Sequence, residues 1–122
     1  MKLSLGMKYV SETVVSEENT AMTMGSGDLP VFATPAMVAL MENAAMNVVA
    51  TCLPDGQTTV GGHISVFHMA PTKMGESVRA EAELMVVEGR KLTFGVRAFQ
   101  GEKLIGEGTH DRFVVDKERF MK

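Results

Sequence analysis

One carboxylate stands out from its surroundings. Glu42 is the only charged side chain between Asp28 and Asp55, and its neighbours include Val38, Ala39, Met41, Ala45 and Met46. An unpaired carboxylate in apolar surroundings is costly and its pKa is pushed upward, which makes it useful as a general base or nucleophile. The competing reading is a thin solvent-facing stripe shared with Asn43 and Asn47. His68 closes the run Val60-Gly61-Gly62-His63-Ile64-Ser65-Val66-Phe67-His68, just ahead of Met69-Ala70-Pro71. In a strand, alternation places His68 on the face of Val60, Gly62, Ile64 and Val66, at a core rim where it could move a proton. Thr34, followed by Pro35, is expected to be a helix N-cap, a structural task for its hydroxyl. Gly61-Gly62 inside a strand marks a bulge or a close backbone approach to a ligand. Gly106 and Gly108 share a face with His110 and Arg112, which leaves space beside an arginine; taken alone, Arg112 reads as an ordinary solvated charge. His63, His68, His110 and the single Cys52 show no metal-ligand spacing, so no metal is expected.

These residues need elements to hold them. Met7 to Val15 reads as a strand rich in β-formers, and Gly25-Ser26-Gly27-Asp28 as a loop. From Pro35 to about Leu53 the chain is mostly Ala, Met, Val and Leu, and Pro54-Asp55-Gly56 stops it. Such a helix is roughly 28 Å long. It is apolar nearly all round, so other structure is expected to wrap it. Four strands follow: Thr58 to Met69, Ser77 to Val87, Lys91 to Phe99 and Lys103 to Val115. In the second, Val78, Ala80, Ala82, Leu84 and Val86 share one face; in the third, Leu92, Phe94, Val96 and Ala98 do. Short turns predict an antiparallel meander. One helix cannot cover both faces of a sheet, so the order fits an α+β hotdog fold: a curved antiparallel sheet wrapped round one long central helix. Open sheet edges predict a homodimer, and a higher oligomer is compatible with them.

The chain has 122 residues, a net charge of −3 and 22% charged residues, which suits a single domain over residues 1–122. Without a basic stripe, nucleic acid is not an expected partner. No run approaches a membrane span, no apolar segment follows the first lysine, and one cysteine fits a reducing compartment; a cytoplasmic location is expected. The eleven methionines read as adaptable core filler.

From Val31 to Phe113 the chain resembles the hotdog-fold acyl-CoA thioesterases of the fluoroacetyl-CoA thioesterase type. The matching pieces are Phe32-Ala33-Thr34-Pro35-Ala36-Met37-Val38, Glu42, Thr59-Val60-Gly61-Gly62-His63, His68-Met69-Ala70-Pro71-Thr72, Val87-Glu88-Gly89-Arg90-Lys91-Leu92-Thr93-Phe94 and Gly106-Glu107-Gly108-Thr109-His110-Asp111-Arg112. The resemblance implies a catalytic Thr34, Glu42 and His68, a substrate-contacting Gly61 and a CoA-contacting Arg112. Members specialised for fluoroacetyl-CoA use phenylalanines ahead of the helix as a gate. Residues 16–31 here hold no aromatic, so a general acyl-CoA thioesterase is expected.

The expected reaction is hydrolysis of an acyl-CoA thioester to free acid and CoA. No cofactor is expected, CoA being part of the substrate. The site would supply an activated oxygen, a proton carrier and an oxyanion donor near Gly61. The alternatives are a hotdog hydratase or dehydratase and a non-catalytic acyl-CoA-binding module. Thr34 and Glu42 stand eight residues apart, about 12 Å along a helix and about 80° around it. The sequence therefore predicts a site shared between two subunits, with Thr34 of one approaching Glu42 or His68 of the other.

Overall fold

A computed structural model describes residues 2–122. Strand β1 (Lys8–Val14) leads through a short helix α1 (Ala21–Met24) to the long helix α2 (Thr34–Val49). Strands β2 (Gln57–His68), β3 (Ser77–Glu88), β4 (Lys91–Gln100) and β5 (Lys103–Asp116) follow, and a final turn of helix, α3 (Lys117–Phe120), ends the chain. Period-two alternation and turn residues place the strands within a residue or two of their expected limits. Helix α2 is shorter than the apolar run suggests. It ends at Val49 and tightens into a 3₁₀ turn over Ala50–Cys52. No helix among the described residues is long and apolar enough to cross a membrane.

The strands form one antiparallel sheet in the order β1-β3-β4-β5-β2. The meander holds for β3, β4 and β5. β2, however, lies beside β5 and not beside β3. The cause is the connection over residues 69–76, which is no hairpin turn. It is pinned to the approach of α2, where Val31 bridges Lys73 and the Phe32 N–H donates to the Thr72 carbonyl at 2.9 Å. The chain therefore re-enters the sheet at its far side. β1 pairs there with β3, and β2 is left as an edge.

The concave face of the sheet buries Val78, Ala80, Ala82, Leu84, Leu92, Phe94, Val96, Ala98 and Ile105 against Met37, Met41, Ala44, Ala45, Val48 and Val49 of α2. Full burial of such side chains contributes about 1.5–3 kcal/mol each for the larger ones. Within one chain the helix is covered on this side only. Ala39 and Asn43 on its other side are exposed, and Glu42 and Met46 are half-buried. The Ser11 hydroxyl donates to Asn43 Oδ1 at 2.7 Å.

Beside the register shift between β4 and β5 that leaves Ile105 opposite the Ala98–Phe99 step, two bulges break the alternation. One in β3, between Leu84 and Val86, turns Val86 outward to 40% exposure, against expectation. The other lies in β2 between Gly61 and His63. Two glycine readings also change. The space beside Gly106 is filled by the Met37 thioether, and that beside Gly108 by the backbone of β2 around Ser65 and Val66. These glycines let the helix and a neighbouring strand approach closely and open no room for a ligand. The methionines divide: Met37 and Met41 are buried in the core, whereas Met22, Met24, Met69, Met74, Met85 and Met121 are exposed.

Candidate active site

The first turn of α2 corrects the reading of Thr34. The N-cap is Ala33, in extended conformation, with its carbonyl accepting from the Met37 N–H at 3.0 Å. Thr34 is already helical, so its hydroxyl is not spent on capping. It lies 2.7 Å from Nδ1 of His68, at the C-terminal end of β2. The pair comes from one chain, so of the two partners expected across a subunit boundary, Glu42 or His68, Thr34 already meets the second within its own chain. Phe32 sets its ring edge-to-face against His68, with centroids 6.5 Å apart. Nε2 of His68 is buried and has no partner among the described residues. Desolvation lowers the His68 pKa below its ordinary 6.5, with the Ala70 carbonyl offsetting part of the effect. At neutral pH the ring is therefore an uncharged base. A pocket of about 250 Å³ opens here, lined among others by Thr34, His68, Phe32, Ser26 and Met69.

Glu42 lies two turns further along α2, in a different pocket of about 450 Å³ that it shares with Ala39, Met46, Thr59, Gly61 and Arg112. Its surroundings are not purely apolar. A Cβ built on Gly61 would stand 3.3 Å from Glu42 Oε2, 3.3 Å from His110 Cε1 and 3.5 Å from Arg112 Nη1. The absence of a side chain at Gly61 is thus what leaves the pocket open. The carboxylate is half-buried beside a guanidinium and not sealed in the core as the sequence suggested. Arg112 is not the ordinary solvated charge that it would be if taken alone. It is 7% exposed; Nε donates to Thr59 Oγ1 at 2.8 Å and Nη2 to the Thr59 carbonyl at 2.9 Å. Burial pulls its pKa down and the Glu42 carboxylate pulls it back up. Sequence reasoning missed Thr59 and His110, the groups that hold this arginine. The sequence signals for them were the face that His110 shares with Arg112 and their place in the stretches 59–63 and 106–112.

The bulge explains why these groups converge. By strict alternation Gly61 and His68 belong to opposite faces of β2. The extra residue at Gly62 shifts the register, so that Gly61 pairs with Arg112 and His63 with Asp111. Gly61 therefore faces the helix together with His68, and Gly62 turns to the outer face against the Phe113 ring. The chain thus carries two separate groups of polar side chains on one face: Thr34 with His68, and Glu42 beside Gly61 and Arg112. They are separated by about 12 Å of helix rise.

The family model for fluoroacetyl-CoA-specific thioesterases matches residues 15–118. A fluoroacetyl-CoA thioesterase from Streptantibioticus cattleyicolor is 46% identical over 90 residues, 74% of this chain and 65% of that protein. The match thus spans just under two thirds of that relative's length. A solved structure of a point variant of the fluoroacetyl-CoA-specific thioesterase, in complex with fluoroacetate and CoA, superposes with a TM-score of 0.91. It is 36% identical and covers 97% of this chain and 99% of that one. A hot-dog-like protein from Thermanaerovibrio acidaminovorans, 24% identical, superposes with a TM-score of 0.87 over 96% of this chain and 87% of its own. The hotdog fold expected from the element order is the fold observed.

Proposed function

Since the chain belongs to the family of fluoroacetyl-CoA-specific thioesterases, we propose that it hydrolyses an acyl-CoA thioester to the free acid and coenzyme A, with Thr34, Glu42 and His68 as its catalytic residues. The observation that carries this reading is the 2.7 Å contact between the Thr34 hydroxyl and Nδ1 of a desolvated His68. In the neutral ring protonated on Nε2, Nδ1 accepts the hydroxyl proton, which is the arrangement of an activated oxygen nucleophile. Thr34 Oγ1 attacks the thioester carbonyl carbon and its proton passes to Nδ1. The carbon–sulfur bond breaks, and CoA leaves as the thiol with that proton. Water then hydrolyses the acyl-threonine ester: Glu42 takes up the proton of the attacking water, the bond between the acyl carbon and Thr34 Oγ1 breaks, and that proton is returned to Oγ1, which releases the free acid and restores both residues. A backbone N–H at the Gly61 bulge stabilises the oxyanion. Arg112 binds the substrate from inside the Glu42 pocket, its burial favouring a part of the ester near the reacting centre. The protein needs no cofactor for these steps.

The two groups work together as half-sites in a homodimer. β2 is an edge strand with Phe67 73% exposed on it. Antiparallel pairing of two β2 edges about an axis between Ile64 and Ser65 would set Gly61 of one protomer opposite His68 of its partner. Glu42 and Arg112 of one chain would thereby face Thr34 and His68 of the other. The fluoroacetate and CoA of the related complex make a short acyl-CoA the first compound to assay. Fluoroacetyl selectivity is not part of the proposal, because Gly25-Ser26-Gly27-Asp28 supplies no aromatic gate. The test is release of free thiol from a panel of acyl-CoA esters. Turnover of at least one ester, abolished in Thr34→Ala and His68→Ala, is expected. Binding without thiol release would leave an acyl-CoA-binding module instead.

A further inference from the structure

One buried histidine takes no part in the steps above. His110, on β5, is 1% exposed, and its two ring nitrogens meet opposite demands. Nδ1 lies 2.7 Å from the His63 carbonyl oxygen, which can only accept, so Nδ1 donates. Nε2 lies 3.2 Å from Nη1 of Arg112, which can only donate, so Nε2 accepts. Only the neutral ring protonated on Nδ1 satisfies both. Desolvation holds the His110 pKa below 6.5, and the Arg112 cation adds to that; the His63 carbonyl, Glu42 and Asp111 offset part of it.

Both partners bear on the Glu42 pocket. The His63 carbonyl belongs to the residue that closes the β2 bulge. Nη1 is the Arg112 atom that stands closest to Gly61. With Nε and Nη2 already held by Thr59, the bond from Nη1 to His110 is the third fixed point of the guanidinium plane. A planar group held at three of its nitrogens cannot swivel about its last side-chain bonds.

We propose that His110 is a positioning residue: it clamps the Arg112 guanidinium, edge toward Gly61 and Glu42, to the bulge that opens the pocket. The inference rests on the reading of Arg112 as a substrate-binding residue. The clamp itself is read by side-chain nitrogen NMR of the wild-type protein, where His110 should be protonated on Nδ1 and bare on Nε2 at pH 7. The opposite tautomer would overturn the clamp, whatever the activity. Its purpose is read by kinetics. His110→Asn keeps a donor near the Nδ1 position and loses the acceptor for Arg112. It should raise KM for an acyl-CoA about tenfold or more while kcat stays within about threefold. His110→Gln, which can present an oxygen near the Nε2 position, should restore KM to within about threefold of wild type. Combining His110→Asn with Arg112→Ala should be no worse than Arg112→Ala alone. Equal impairment by Asn and Gln, or additive losses in the double variant, would overturn the positioning role while leaving the thioesterase reading intact. A wild-type protein that releases no thiol from any ester would overturn that reading and the role of His110 with it.

Discussion

Thr34→Val tests the proposed chemistry most directly. Valine keeps the β-branched shape and deletes only the hydroxyl. Thr34 is exposed and makes no cap, so the fold loses one hydrogen bond, and water can take the place of the hydroxyl at Nδ1 of His68. The expected loss of stability is about 0.5–1 kcal/mol. For a domain of this size that lowers Tm by no more than about 5 °C. The chemical loss is of another order. If Thr34 Oγ1 is the attacking oxygen, its removal leaves only adventitious water beside His68. The rate should fall about a hundredfold or more, a barrier increase of at least about 2.7 kcal/mol. The assay is continuous thiol release with a chromogenic thiol reagent, run beside a thermal melt of each protein. Thr34→Ser, which retains a hydroxyl, should keep a measurable fraction of the rate and should accumulate a serine ester under rapid quench. A Thr34→Val protein with an unchanged melt and turnover within about threefold of wild type would refute the nucleophile assignment and leave His68 acting on water.

Glu42→Gln should cut turnover about a hundredfold at nearly unchanged stability, since the carboxylate is half-buried and not sealed in the core; titration of turnover against both proteins' melts decides it. Because burial holds His68 below 6.5, the acid limb of kcat/KM should lie below 6.5, with activity level above it and lost as Nδ1 takes a proton; a limb above 7 would contradict the neutral base. Stability follows the same sign: the unfolded chain binds protons more readily at His68 and His110, so the melt should fall as pH drops through 6.5 and stay level above it as far as these two groups decide it. Gly61→Ala brings a methyl group to 3.3 Å from Glu42 Oε2 and His110 Cε1, so these must shift by a few tenths of an ångström; turnover should fall about tenfold or more with a small change in Tm. Phe67→Lys places a charge on the free edge strand and should yield a folded monomer, by sedimentation, that has lost activity; a fully active monomer would end the shared-site model.

The elements were legible in the sequence because they are local. Alternation from Val78 to Leu84 and from Leu92 to Ala98, turns at Gly89 and Gly101, and the apolar run after Pro35 each record their structure within a few residues. The hotdog order follows from those elements, and Glu42 is conspicuous through the composition around it. Counting by twos fails wherever a strand gains a residue. The bulges at Gly62 and Met85 moved Gly61 inward and Val86 outward, and neither shift has a periodic signature. Counting along the chain also fails for the connection that takes β3 away from β2, since its anchor is the Phe32–Thr72 bond. The same holds for the chemistry. The Thr34 hydroxyl reaches a histidine 34 residues away, and Arg112 is held by Thr59, 53 residues away, and by His110. A side chain's propensity is set by its own backbone and immediate neighbours. Its hydrogen-bond partner and its desolvation are set by whatever the closed sheet brings against it.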